Sequence, residues 1–244
     1  MDYTTTIKYP IKYYEMLRNK ALKESSLLLL LQDIATQNAD RLGFGADFMF
    51  SNNYAWFLLK YKIVMTKWPK DEKEIIIKTV PRGFQKFYAY RDFYIYDSNN
   101  IEIGRVASCW TLVDLDTKRP KHLAEVKEYP IAYEKKEDDL TFEKIFEAEN
   151  YSNSLDFKVI FDDIDVNCHA NNANYIRWAL SPLDDEFREK HFIEETDMIF
   201  KHEIKCGEFL TSCVSFGGDT TNHILKNKET GDTLCQMKIK WGKI

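Results

Sequence analysis

No stretch of this sequence is apolar enough to cross a bilayer. The longest aliphatic run covers residues 27–31, whereas a membrane-spanning helix needs about 20 apolar residues. The first residues carry neither the basic region and apolar stretch of a secretory signal nor the Arg- and Ser-rich composition of a transit peptide. We therefore expect a protein that has no membrane partner.

The sequence also has few cysteines and no excess of positive charge. The chain contains five cysteines, an odd number, and no C-x-x-C pair, so the sequence predicts neither a disulfide framework nor a zinc ribbon. A reducing, cytoplasmic location is the expectation. The formal net charge of −5 does not favour a nucleic-acid partner, and an acidic protein partner would have to bind at a local cluster of Lys and Arg.

Aromatic residues, in contrast, make up 14% of the chain, which favours β-rich structure because aromatic rings pack well on a half-buried pleated surface. In the first half, apolar residues recur at helical spacing between positions 27 and 42. Ser25 or Ser26 is expected to cap this helix, and Gly43 and Gly45 to end it. Strand-like segments lie before and after it; they cover residues 7–17, 56–65, 74–79, 87–96 and 101–115.

The second half repeats this order of elements. A strand is predicted over residues 155–166, and a helix begins near Asn171 or Asn172 and starts again at Ser181-Pro182. Further strands follow, with turn residues between them; they cover residues 198–206, 209–216, 222–225 and 234–241.

A charged stretch separates the two halves. Lys, Glu and Asp dominate residues 126–150, as expected of a solvated linker. The sequence therefore predicts an α+β protein with two tandem copies of one small unit. The first domain covers residues 1–125 and the second covers residues 151–244.

The segment before the second helix concentrates polar side chains. Four of them are spaced two residues apart, so they point the same way if the chain is extended; they are Asp163, Asp165, Asn167 and His169. A helix that begins at Asn171 or Asn172 offers free backbone N–H groups and a favourable dipole beside them, which suit a developing oxyanion. An asparagine that simply caps the helix explains part of this pattern, but it does not explain Asp165 and His169.

Two metal sites are alternatives for the same segment. The spacing of its acids resembles a calcium-binding EF-hand loop, but that loop needs Gly where Cys168 stands and Glu where Asn174 stands. A site built from Cys168, His169, His202 and Cys206 has no diagnostic spacing. We expect no metal and no cofactor.

The run Asp165, Asn167 and His169, followed by Asn171-Asn172 and Tyr175, resembles the active-site motif of the fatty acyl-ACP thioesterases of plants and bacteria. It is also similar to the H-x-N-N-x-x-Y signature of single-domain hot-dog thioesterases. The resemblance covers nearly the whole chain. Its landmarks in the first half are Leu42-Gly43-Phe44-Gly45, Trp56, Tyr90-Arg91-Asp92, Ala107-Ser108-Cys109-Trp110 and Thr117-Lys118-Arg119-Pro120.

This resemblance implies two tandem hot-dog domains, each a long helix wrapped by an antiparallel sheet. It assigns Asp165, Asn167, His169 and Glu203 to catalysis, with Glu203 on the strand after the helix, and it assigns the acyl-chain pocket to the first domain. Plant members carry a cysteine after the glutamate, where this chain has Ile204. We therefore do not expect a cysteine nucleophile.

The function implied is hydrolysis of fatty acyl thioesters of acyl carrier protein. Glu203 or Asp165 would act as general base, or Asp165 would attack the thioester directly. The alternatives are an acyl-CoA thioesterase and an acyl-binding module without activity. Acyl carrier protein is the expected partner, with Lys60, Lys62 or Arg177 as candidate contacts, and a homodimer is also open.

Overall fold

The computed structural model describes residues 3–126, 133–166 and 168–243. Its strands form one sheet of eleven. In the first half the strands are β1 (Thr5–Pro10), β2 (Tyr54–Met65), β3 (Glu74–Gln85), β4 (Tyr88–Tyr96), β5 (Glu102–Asp114) and β6 (Arg119–Pro120). In the second half they are β7 (Asn153–Lys158), β8 (His191–Phe200), β9 (Phe209–Gly217), β10 (Thr220–Asn227) and β11 (Thr233–Lys243).

Every pairing in this sheet is antiparallel, and the order is β1-β3-β4-β5-β2-β8-β11-β10-β9-β7, with β6 beside β5. The helices are α1 (Glu24–Arg41), α2 (Ala46–Asn52), α3 (Asn172–Leu180) and α4 (Asp185–Lys190). Helices α1 and α3 contact each other, and their apolar faces share one core with both halves of the sheet. The predicted α+β class is confirmed. Within the described residues no helix is long and apolar enough to cross a membrane.

The two halves meet where β2 pairs with β8. Tyr61 lies opposite Met198, and Lys62 lies opposite Asp197. Because side chains alternate across a sheet, Tyr61 and Met198 enter the core, whereas Lys62 and Asp197 share the other face. The Lys62 ammonium there pairs with Glu195 and lies 2.6 Å from the Asp197 carboxylate. Lys62 is therefore buried and ion-paired, which is a correction to its expected contact with a carrier protein.

The described part of the linker, residues 133–150, forms neither helix nor strand but contacts both halves of the sheet. Asp139 lies 2.6 Å from Arg82 of β3. The Glu143 N–H donates to the Asp197 carboxylate of β8 at 2.9 Å. This segment therefore crosses the face of the sheet opposite α1 and α3, although the boundaries of the two domains stay a prediction.

Several predicted element ends are wrong. Helix α1 begins before Ser25, after Lys23, which makes no side-chain cap. Gly43 has a left-handed φ of +84° and follows the end of α1 as expected, but Gly45 instead precedes the unpredicted helix α2. In the second half, Ser181 ends α3, and α4 is capped by Asp184, whose carboxylate accepts the N–H groups of the next helical turn. Ser181 takes helical dihedral angles at the C-terminal end of α3, whereas an N-cap residue needs an extended backbone, which Asp184 has.

Candidate active site

The segment between β7 and α3 is a compact loop, and the extended row predicted from its spacing is wrong. Strand β7 ends at Lys158, and a 3₁₀ turn covers Phe161–Asp163. The loop then closes on itself, because the Asp165 N–H donates to the His169 carbonyl at 2.9 Å. The Cys168 N–H returns to the Asp165 carbonyl at 3.0 Å, and Cys168 takes a left-handed φ of +64°.

Asp163 attaches this loop to α3 and does not face the site. Its buried carboxylate accepts the Ile160 N–H at 3.0 Å and pairs with Arg177 of α3. Its carbonyl accepts the Asn171 N–H at 2.9 Å and the Asn174 side-chain amide at 2.9 Å. Arg177, an expected contact of the carrier protein, is thus already paired within the chain.

The N-terminus of α3 lies directly after the loop. The Asn171 side chain accepts the Ala173 N–H at 2.9 Å, which confirms the predicted helix start. One turn later Tyr175 is buried, and its hydroxyl donates to the His202 carbonyl at 3.4 Å. Burial, with help from nearby Cys235, raises the pKa of Tyr175, so its hydroxyl stays a proton donor at neutral pH.

His169 contacts Glu203, which lies in the loop that follows β8. Nε2 of His169 lies 3.0 Å from Oε2 of Glu203, and their side chains are 34% and 41% exposed. The Ala170 N–H also reaches the Ile204 carbonyl at 3.4 Å. Glu203 lies beyond the end of β8 at Phe200, so its predicted place on the strand is wrong, but the structure brings it into contact with His169.

The environment of Glu203 disfavours its charge. Partial burial is the largest cause that raises its pKa, and the negative charge of Asp165 raises it further. His169 and Lys205 act in the opposite direction, but the net pKa is above the usual range of a glutamate. A carboxylate with a raised pKa lies closer to neutrality, where a general base works best.

The first half also contributes to the site. The ring of Phe57 on β2 lies 6.2 Å from the ring of His169. The sequence predicts a strand that begins near Trp56, but it gives no signal that Phe57 reaches the second half. Only the pairing of β2 with β8 places Phe57 there. Asn167 lies outside the described residues. Asp165 is half-buried beside His169, and Cys168 is exposed.

The sheet wrapped on α1 and α3, with an acid–histidine pair at the N-terminus of α3, defines a double hot-dog protein of the thioesterase class. The family model for the acyl-ACP thioesterase N-terminal domain matches residues 2–129, and the model for the C-terminal domain matches residues 146–243. The chain belongs to the acyl-ACP thioesterase family.

Solved structures of this family share the fold over the whole chain. An acyl-ACP thioesterase from Bacteroides thetaiotaomicron superposes with a TM-score of 0.85 at 21% identity and covers 98% of each chain. A 12:0-ACP thioesterase from Umbellularia californica reaches 0.87 at 17% identity, covering 100% of this chain and 99% of that one.

Two relatives from Arabidopsis thaliana are similar in sequence. Oleoyl-acyl carrier protein thioesterase 2 is 23% identical over 97% of this chain, which spans 76% of that protein. Oleoyl-acyl carrier protein thioesterase 1 is 24% identical over 84% of this chain, and the match spans 62% of that protein. The match therefore spans about three quarters of the length of the first relative and under two thirds of the length of the second.

Proposed function

We propose that this protein hydrolyses fatty acyl thioesters of acyl carrier protein to a free fatty acid and the carrier thiol. The observation that carries the proposal is the 3.0 Å contact between His169 and Glu203 at the start of α3, in a chain of this family. The named substrates of its relatives, oleoyl- and 12:0-ACP among them, support the carrier-bound substrate.

In the reaction, Glu203 acts as general base on a water molecule. Its carboxylate takes a proton from the water as the oxygen attacks the thioester carbon. The C–S bond then breaks, and the thiolate leaves with that proton. His169 holds Oε2 of Glu203, since an ionised carboxylate can only accept and Nε2 must donate. Asn167 and the positive end of the α3 dipole stabilise the developing oxyanion.

Direct attack by Asp165 is the competing route. It would form an acyl anhydride on the Asp165 carboxylate, which water would then cleave. A single turnover in ¹⁸O-labelled water tests for the anhydride. Label in the Asp165 carboxylate contradicts direct water attack, which places label in the fatty acid alone, as does opening of an anhydride at its fatty acyl carbon.

The central test is thiol release from acyl-ACP and from the matching acyl-CoA, for the wild type and for His169→Ala. We expect wild-type turnover of acyl-ACP. In the variant kcat should fall by about 100-fold or more, because the Glu203 base loses the donor that holds it and general-base catalysis contributes that much. His202→Ala is the matched control, since His202 is exposed on the same loop as Glu203. Wild-type enzyme that binds acyl chains but releases no thiol would overturn the proposal.

We extend the proposal to a cytoplasmic location, and the homodimer stays open. Cell fractionation tests the first, and light scattering at micromolar concentration tests the second. The acyl-chain pocket remains assigned to the first domain, where burial of each methylene would contribute about 0.8 kcal/mol.

A further inference from the structure

A cluster of cations occupies one end of the first half of the sheet. It lies on the β3–β4 hairpin and on the chain after β5, and we call it the basic patch; its members are Lys86, Lys118, Arg119 and Lys121. Backbone bonds bring the two segments together. The Leu123 N–H donates to the Lys86 carbonyl at 2.9 Å, and the Lys121 N–H donates to the Leu112 carbonyl at 2.7 Å.

Within the described part of the chain, no salt bridge is found for Lys86, Lys118 or Arg119. Lys121 differs, because it interacts with Tyr54 and with the negative charges of Glu125 and Asp114. Asp114 also accepts the N–H groups of its own turn, and Asp116 accepts the Asn53 amide at 2.6 Å. Four lysines of the second half, in contrast, form salt bridges; they are Lys226, Lys228, Lys238 and Lys240. Lys86, Lys118 and Arg119 therefore keep their charge available to an external partner.

Aromatic side chains lie among these cations. Phe87 and Tyr88 are exposed at the hairpin, and the ring of Phe87 lies 5.3 Å from the ring of His122. The Lys121 ammonium lies 5.5 Å from the ring centre of Tyr54. Cations interleaved with exposed aromatic rings form a surface that a protein partner can bury, because aromatic residues supply contact area at protein interfaces.

The basic patch lies at the same end of the sheet as the candidate active site. Tyr54, which contacts the patch, pairs with Asp114, and Phe57, which contacts the site, pairs with Thr111. Both residues therefore lie on the same stretch of β2. Tyr54 and Phe57 are about 10 Å apart at the usual rise of a strand. The Phe57 ring lies 6.2 Å from that of His169. Tyr54 and Phe57 are three residues apart, so their side chains leave opposite faces of β2. The patch therefore lies at the same end of β2 as the site, on the face of the strand that carries Tyr54.

We propose that the basic patch is the docking surface for the acidic carrier protein that presents the acyl thioester. This inference rests on the proposed function. A protein with a net charge of −5 repels an acidic carrier at long range, so productive encounter needs a local positive surface near the site. The carrier is favoured over a small thioester such as acyl-CoA because the patch is broad, partly aromatic and removed from His169.

The test compares Lys118→Glu/Arg119→Glu with the control Lys70→Glu/Lys73→Glu. Both double variants change the charge equally, and Lys70 and Lys73 are exposed before β3 at the opposite end of the sheet. We measure kcat/KM for acyl-ACP and for acyl-CoA with the same acyl chain, at low and at physiological salt. The patch variant should lose about tenfold in kcat/KM for acyl-ACP, mostly through KM, and lose less at higher salt.

The matching acyl-CoA should be hydrolysed by the patch variant at the wild-type rate. Equal losses for acyl-ACP and acyl-CoA would overturn the proposal, since they would indicate damage to the site or a phosphate contact common to both substrates. Equal losses in the patch and control variants would also overturn it. If wild-type enzyme does not turn over acyl-ACP, the proposed function itself is wrong. If wild-type enzyme turns over acyl-ACP and the patch variant does so equally well, only the proposed docking surface is wrong.

Discussion

At the scale of single residues, the chemistry depends on how neighbours change the proton affinity of Glu203. Burial and the charge of Asp165 raise its pKa, whereas His169 and Lys205 lower it. Activity that uses ionised Glu203 as base must rise with pH through this pKa. The position of the acid limb of the pH–rate profile therefore depends on the charges around Glu203.

Asp165→Asn should move that acid limb to lower pH. Removal of a negative charge makes ionisation of Glu203 easier, so the base is available in more acidic solution. The measurement is kcat/KM against pH for the residual activity of the variant.

His169→Ala provides the opposite control, because loss of this partner removes an interaction that lowers the Glu203 pKa. Its acid limb should move to higher pH. An acid limb that stays in place in both variants would show that Glu203 is not the titrating base.

At the scale of elements, α3 is attached to the structure at both ends. Its N-terminus is held by Asp163, as described above. Near its C-terminus, Nδ1 of the buried His223 lies 2.7 Å from the Ala179 carbonyl and therefore donates to it. Nε2 lies 2.8 Å from the Thr221 hydroxyl, which in turn accepts the Trp241 indole N–H at 2.8 Å. This chain of bonds satisfies a neutral imidazole.

His223 should make the fold sensitive to acid. Burial lowers the pKa of His223 to about 4 from 6.5, so between these values the unfolded chain binds a proton that the folded chain does not. Stability is fully present above pH 6.5 and is lost as the pH falls toward 4. The loss at this residue amounts to about 3 kcal/mol.

The measurement is urea unfolding of wild type and His223→Asn at pH 7 and pH 4. Asn keeps a donor for the Ala179 carbonyl but does not titrate. The stability advantage of the wild type should shrink by about 3 kcal/mol on acidification, and an unchanged advantage would contradict a neutral buried His223.

At the scale of the whole molecule, the two halves form one continuous sheet through β2 and β8. Lys62 and Asp197 at this seam are each 5% exposed, and the linker adds the Glu143 N–H to the same carboxylate. One ion-paired group thus joins the first half, the second half and the segment between them.

Lys62→Met should destabilise the protein by roughly 3–5 kcal/mol, because it leaves a buried carboxylate without its counter-charge. Denaturant unfolding measures this loss. Lys60→Met is the matched control, since the Lys60 ammonium lies 5.8 Å from the ring centre of Phe142 and forms no salt bridge among the described residues. The double variant Lys62→Met/Asp197→Leu should recover most of the stability, and failure to do so would show that the pair itself is not the cause.

Much of the fold was predictable from local patterns. The helical spacing after Ser26 and the alternating strands reflect periods that depend only on the backbone. The loop before α3 was not predictable in this way, because Asp163 and Ile164 alternate as in a strand although the chain has already turned. The turn depends on the bonds from Asp163 to Ile160 and to Asn174 of α3, and a period-two pattern of side chains carries no signal for such bonds.

The sequence by itself determined the α+β class, most of the order of elements and the candidates Asp165, Asn167 and His169, because period and motif are properties of neighbouring residues. The family resemblance added Glu203. Only the tertiary structure decided which of them meet. The 3.0 Å contact between His169 and Glu203 requires the loop after β7 and the loop after β8 to close over α3. The approach of Phe57 and the burial of Lys62 require the pairing of β2 with β8, which depends on packing across the whole sheet.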